Sequence, residues 1–319
     1  MIFLIFCLIS ITSYSDLTIY YSTSLQERPL EDGRGGLSLA ASKIDELKNN
    51  NGQSLFLLLP KKDNFANEKE MFKKLNILER VKVSSILPTD SLLANIHLFI
   101  REERELPFVC SNLYKEGAIA RFTNPWQNIF KNPLKIAILS FVEEKKVKEG
   151  FISKSEAPFQ ARRTFNRVKH TQLETRDPNA HLEEVIKLTK ANYAPDIIIV
   201  MTDVKFSKTN IEVLQRENAI LISNVEQHNT EDLIKAKDVN EDQLGMIKLS
   251  ITNKKITDFE NRVINLKLRN EDDDIKEGEI VDRIKSLEKE GKSREAKKLS
   301  EEFNNDLDRP VRESRKIEL

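Results

Sequence analysis

The chain has 319 residues, enough for one large domain or two small ones. Lys plus Arg and Asp plus Glu both number 51, so zero net charge leaves no long-range field to draw it to nucleic acid or a bilayer. With 32% charged and 7% aromatic residues, the composition describes a solvated surface over an aliphatic core, and it excludes a disordered or membrane-embedded chain.

The first residues depart from that average. "MIFLIFCLISITSYSD" is apolar and then turns small and polar, with Ser13 and Ser15 at the −3 and −1 places of a signal-peptidase site. The run is too short to span a bilayer comfortably. We therefore expect a signal peptide over 1–15, an exported protein of the periplasm or cell envelope, and no membrane span after signal removal. The absence of Lys or Arg before the apolar run counts against this, unless the true start lies further upstream. Lipidation at Cys7 is disfavoured because Phe6 is too bulky for the preceding position. Cleavage after Ser15 leaves Cys110 as the sole cysteine, a small core residue in "PFVCSNLY".

From Leu17 onward strands and helices alternate. Strands are expected in "LTIYYSTS" (17–24), "SLFLLLP" (54–60), "VKVSSIL" (81–87), "PFVCSNLY" (107–114), "LKIAILSFV" (134–142), "DIIIVMTD" (196–203) and "AILISNV" (219–225). These runs are continuously apolar, as in strands covered on both faces. Amphipathic segments lie between them: Leu37, Ala40, Ala41, Ile44 and Leu47 share one face, and Leu182, Val185, Ile186 and Leu188 share another. Residues 145–179 are basic and weakly periodic and read as a long surface loop. "GMIKLSITNKKITDFENRVINLKL" (245–268) reads as a hairpin turning near Asn253 and Lys254. A charged helical tail follows over 271–319, with Ile280, Val281, Ile284 and Leu287 in a narrow apolar stripe. The domain proper is 16–270.

The order and spacing of short motifs add to this. "LTIYYSTSLQERP", then "GGLSLAASKIDELKNNNGQSLFLLLPKKDNF", "LPFVCSNLY", "LKIAILSFV" and "DIIIVMTD" resemble the strand series of the bacterial 5′-nucleotidase and UDP-sugar hydrolase family, calcineurin-like metallophosphoesterases. The resemblance covers about Leu17 to Glu290. It implies an α/β fold: a metallophosphoesterase-like α/β/β/α sandwich of mixed sheets, ending in a β-hairpin and a helical tail. It also implies two divalent metals held by Asp, His and Asn side chains at the strand ends, where a metal-bound hydroxide attacks phosphorus.

This chain departs from that pattern where the metals belong. By position the first Asp falls on Ser24 and its His partner on Gln26. The bridging Asp is kept as Asp63, but Pro60, Lys61 and Lys62 replace the Asp-x-Gly before it. The Asn-His pair falls near Leu87 and Pro88, and the His after "VMT" is Asp203. The last Gly-His-x-His falls on Asn224, Val225, Glu226 and Gln227, with His228 one step beyond. Hydroxyl, amide, aliphatic and ammonium groups cannot hold hard dications against water.

Asp63, with Asp203 and His228, would hold at most one weakly bound divalent metal. The simpler reading is a cap for the helix starting near Asn67 or a salt bridge to Lys61 or Lys62, and we favour it. Lys61 and Lys62 are either a phosphate contact or solvated loop charge. Trp126 is a partner anchor or a core residue. Arg162, Arg163, Arg167 and Lys169 form a solvated loop or meet an acidic partner rather than nucleic acid. The sequence thus leads us to expect a catalytically inactive envelope binding or scaffold protein with no cofactor, whose partner is another envelope protein. The alternative is a divergent metal-dependent phosphohydrolase using Asp63 and Asp203.

Overall fold

The structure is a computed structural model describing residues 14–25, 35–48, 53–60, 67–101, 105, 107–115, 118–119, 125–147, 173–228, 233–267 and 271–304. Two five-stranded sheets carry the architecture. In the first, β1 (Tyr14–Ser22) lies parallel to β2 (Gln53–Leu58), which lies parallel to β3 (Ser85–Ile86). On its other side β1 pairs antiparallel with β13 (Gln243–Thr252), and β13 with β14 (Lys255–Asn265). In the second sheet, β7 (Leu134–Phe141), β10 (Ile197–Thr202), β11 (Ile220–Ser223) and β12 (Ile234–Lys235) run parallel. Antiparallel β6 (Gln127–Lys131) closes its edge.

The continuous apolar runs have a simple cause. Ile197, Ile199 and Met201 of β10 join the core shared with β1 and β2, whereas Ile198 and Val200 join a second core. β7 divides the same way, Ile136 and Ile138 inward, Leu139 and Phe141 outward. The second core is completed by α5 (Pro178–Tyr193) and α6 (Lys208–Arg216), through Leu182, Val185, Ile211 and Leu214. The first sheet is backed by α1 (Leu37–Lys48) and α2 (Glu68–Arg80). Helix, sheet, sheet and helix therefore stack as four layers, the metallophosphoesterase-like α/β/β/α sandwich.

Local chemistry sets the element ends. Gly35 and Gly36 have φ of 67° and 86°, and a Cβ on Gly35 would meet the Glu241 carbonyl oxygen at 2.7 Å, so glycine is required where the chain enters α1. Asn67 caps α2, its side chain accepting from the Glu70 amide at 2.9 Å. The cap is thus Asn67, not Asp63, which lies outside the described residues. Asn253 and Lys254, both at positive φ (50° and 65°), turn the β13–β14 hairpin as expected.

Several expected elements differ. Only Ser85–Ile86 of 81–87 is strand, because Val81 caps α2 and Lys82 sits at φ 58°. Within 107–114 the strand begins only at β4 (Leu113–Lys115). The supposed loop 145–179 contains β8 (Lys145–Lys146) and β9 (Leu173–Thr175), which with β4 and β5 (Ala118–Ile119) form a third, antiparallel sheet. It also contains the start of α5, capped by Asp177. The basic segment 161–170 lies outside the described residues. Trp126 is half-buried against the second core. Two short helices, α3 (Asp90–Ala94) and α4 (Ile96–Arg101), follow β3. The tail folds as α7 (Glu271–Lys289) and α8 (Ser293–Asn304), reversing at Gly291 (φ 75°) and burying Leu287 and Ala296.

Candidate functional site at the joined sheet edges

The parallel strands of both sheets deliver their C-terminal ends to one side, where α/β sheets place ligands. Two contacts show the edges meeting. Asn224 Nδ2, after β11, donates to the Pro60 carbonyl after β2 at 3.5 Å. Lys145, just past β7, forms an ion pair with Asp90 at the start of α3.

Ser24, Leu87, Pro88, Asp203, Val225 and Gln227 are all described here, whereas Gln26, Lys61, Lys62 and Asp63 lie outside the described residues. Ser24 is buried, its amide donating to Ser22 Oγ at 3.2 Å. Leu87 is buried in the main core, and its amide donates to the Leu58 carbonyl at 2.7 Å. Both parallel strands β10 and β11 end in a hydroxyl turn. Thr202 Oγ1 accepts from the Val204 amide at 3.0 Å, and Ser223 Oγ accepts from the Val225 amide at 3.1 Å. Gln227 ties the two turns together. Its Nε2 donates to the Val204 carbonyl (2.7 Å) and Ser223 Oγ (2.9 Å), and its Oε1 accepts from the Phe206 amide (2.9 Å). A side chain with every hydrogen bond directed inward is a tie between loops.

Asp203 behaves differently. Burial raises its carboxyl to about 6, opposed by Lys145 and by hydrogen bonds from the backbone of Asp203 and Glu143. Its Oδ1 is buried without a partner. Nearby Cys110 is wholly buried and its thiol is pushed up to about 12 by desolvation, so it is a core residue and not a nucleophile. Asn112 organises the irregular segment beside it, donating to the carbonyls of Val142 (2.7 Å) and Arg176 (2.6 Å) and accepting from the Val142 amide (3.2 Å). Among the described residues, no group of three or more His, Cys, Asp or Glu side chains is arranged to hold a metal ion. The donor set at the described positions (a hydroxyl, an aliphatic chain, a proline, a valine, a committed amide and the single carboxylate of Asp203) does not fit two hard dications. No described helix is long and apolar enough to cross a membrane.

Next to this corner the two sheet edges part into a cleft of about 170 Å³, lined by Tyr21, Thr23 and Leu59 on one side and Ile222, Ser223, Asn224 and Glu226 on the other. Asp238, Val239 and Asn240 complete it. Sequence reasoning missed Thr23 and the 238–240 segment. Thr23 is adjacent to Ser24, but no motif marks it, and 238–240 reaches the cleft only through the fold.

The fold is that of metallophosphoesterase-like proteins. It is similar to Haemophilus influenzae NAD nucleotidase (TM-score 0.54, 14% identity), over 93% of this chain and 61% of that one. A candidate 5′-nucleotidase from Staphylococcus aureus, solved with α-ketoglutarate, is similar over 79% of this chain and 54% of its own (TM-score 0.56, 14% identity). Thermus thermophilus SoxB, a sulfate thiohydrolase solved with glycerol, aligns over 79% of this chain and 57% of its own (TM-score 0.53, 11% identity). The chain thus spans little more than half the length of these proteins. No protein-family model matches the chain, and no curated protein matches its sequence.

Proposed function

We propose that this is a catalytically inactive metallophosphoesterase-like protein that works by binding, as a scaffold of the cell envelope. The observation that carries this reading is Gln227. At the position where the resembled family places its last metal-binding histidine, this chain has an amide whose hydrogen bonds hold two loops together. Leu87 and Val225 supply no ligand atoms, and Ser24 is a weak neutral donor. Hydrolysis by a two-metal route requires a fixed pair of dications about 3.5–4 Å apart, which such a set does not support. The partner is another envelope protein, met by the two-helix tail, where α7 and α8 pack on each other through Leu287 and Ala296. Export by way of the 1–15 segment belongs to the same reading. Cleavage after Ser15 would leave Asp16, opposite Ser250, as the first paired residue of β1.

One observation favours a second reading. The unpartnered, buried Asp203 Oδ1 is what a residual metal ligand would look like, so a reduced site with Asp63 defines the rival phosphohydrolase. The test is phosphate release from p-nitrophenyl phosphate and AMP in Mn²⁺, by the parent chain and by Asp63→Ala. We expect no release above buffer from either. Release that Asp63→Ala abolishes overturns the binding-only reading.

A further inference from the structure

β14 closes the edge of the first sheet, and among the described residues no strand pairs on its far side. A long strand with one free side presents a row of backbone donors and acceptors, a template for a further strand.

The ladder fixes which groups point outward. The Leu266 amide donates to the Asp242 carbonyl at 3.0 Å, one step beyond the Gln243–Asn265 pair. Hydrogen-bonded and non-bonded pairs alternate in an antiparallel ladder, so Ile264, Arg262 and Glu260 turn their backbone groups to β13. Those of Val263, Asn261 and Phe259 point away from it. The Phe259 amide accordingly turns to its own neighbour, donating to Asp258 Oδ1 at 2.8 Å.

The side chains decide what fits this edge. Glu260 and Arg262 share one face, are nearly half exposed, and pair with each other. On the opposite face Phe259 is 44% exposed, a large ring left at the rim, with half-buried Val263 further along. When a strand meets its own copy about a two-fold axis, charge chooses the register. An axis at Phe259 sets Asp258 against Glu260. One at Asp258, Glu260 or Arg262 sets that charge against itself, and one further along leaves Glu260 and Arg262 without partners. With the axis at Asn261, Glu260 faces Arg262 of the second copy on both sides of it. Phe259 then covers Val263, Asp258 meets the uncharged Ile264, and no like charges face each other.

We propose that β14 is a self-association edge, through which two copies of this chain pair antiparallel about a two-fold axis at Asn261. Asn261 exchanges backbone hydrogen bonds with its counterpart, and Phe259 does so with Val263, joining the two first sheets into one. The Asn261 side chain already donates to the Lys235 carbonyl at 2.7 Å, which holds this part of the strand in place. A single strand edge is smaller than the ~800 Å² a side of a standard complex, so the dimer is reversible and forms at micromolar concentration. It uses neither the metal positions nor the tail, and stands whether or not the protein is an enzyme.

The experiment is sedimentation velocity of the full chain across the micromolar range, where a monomer–dimer equilibrium is expected. Arg262→Glu sets carboxylates against Glu260, and Glu260→Arg sets guanidinium groups against Arg262, so each variant alone should dimerise about tenfold more weakly or worse. Mixed in equal amounts, the two variants face each other with opposite charges throughout and should form a heterodimer at about the parental affinity. Both changes lie at the surface, so melting close to the parent temperature checks the fold. In the parent chain, amide exchange at Phe259, Asn261 and Val263 should slow as concentration rises. Any of four results overturns the proposal: a parent chain monomeric throughout, a dimer that neither single variant weakens, a mixture that forms no heterodimer, or exchange at those amides that ignores concentration.

Discussion

Two corners of the same sheet edge use polar side chains in opposite ways. At the ends of β10 and β11, Gln227 directs its hydrogen bonds inward, to Val204, Ser223 and Phe206. Nearby, Thr23 Oγ1 and Asn224 Oδ1 are buried without a hydrogen-bond partner, in residues that border the cleft. A polar group fully spent on the fold is structural, and its loss destabilises the protein. One left unspent costs the protein stability.

The sharpest break of the comparison is in the cleft wall. Gly245→Ala drives a methyl into the Tyr21 ring and should lower stability by about 3 kcal/mol in urea unfolding. Tyr21→Leu made in the same chain should recover part of that loss, a coupling that a double-mutant cycle reads directly. At the tied corner, Gln227→Leu leaves the buried Phe206 amide without an acceptor and should cost about 2 kcal/mol by the same measurement.

Asp203 gives a pH signature of comparable or slightly smaller size. Its folded-state carboxyl is raised to about 6 by burial, above the ordinary 3.8, so the folded protein binds this proton more tightly than the unfolded chain. Its contribution is therefore most favourable below pH ~4, declines as pH rises to ~6, and leaves a constant penalty of about 2–3 kcal/mol above that. Asp203→Asn should flatten this part of the stability profile and raise stability at pH 7. A profile between pH 4 and 6 that the substitution leaves unchanged would contradict the buried, ionisable Asp203. The smallest effect belongs to Thr23→Val, which removes an unpartnered hydroxyl and should shift stability by no more than ~0.5 kcal/mol, toward greater stability.

Much of the fold was legible because β2, β7 and β10 are covered on both faces, and their unbroken aliphatic runs say so. The hairpin was legible from Asn253-Lys254, two residues placed at positive φ between alternating strands. The segment 81–87 misled because Val81 and Val83 favour strands by propensity, while the actual structure there ends a helix whose face packs on the first sheet. The third sheet was missed because strands of two or three residues carry no periodicity. At the site, single identities such as Leu87 and Val225 were readable one position at a time. Their setting was not, since Gln227 acquires its role from Phe206 and Val204, more than twenty residues away in sequence, and Thr23 acquires its cleft from residues 222–224, 226 and 238–240.

The most direct measurement for the central claim is elemental analysis of the purified full chain after exposure to Mn²⁺ and Zn²⁺ and removal of free metal, with phosphate release followed on the same sample. The account predicts far less than one metal per chain and no release of phosphate from AMP. Two metals per chain, retained and accompanied by AMP hydrolysis, would contradict it.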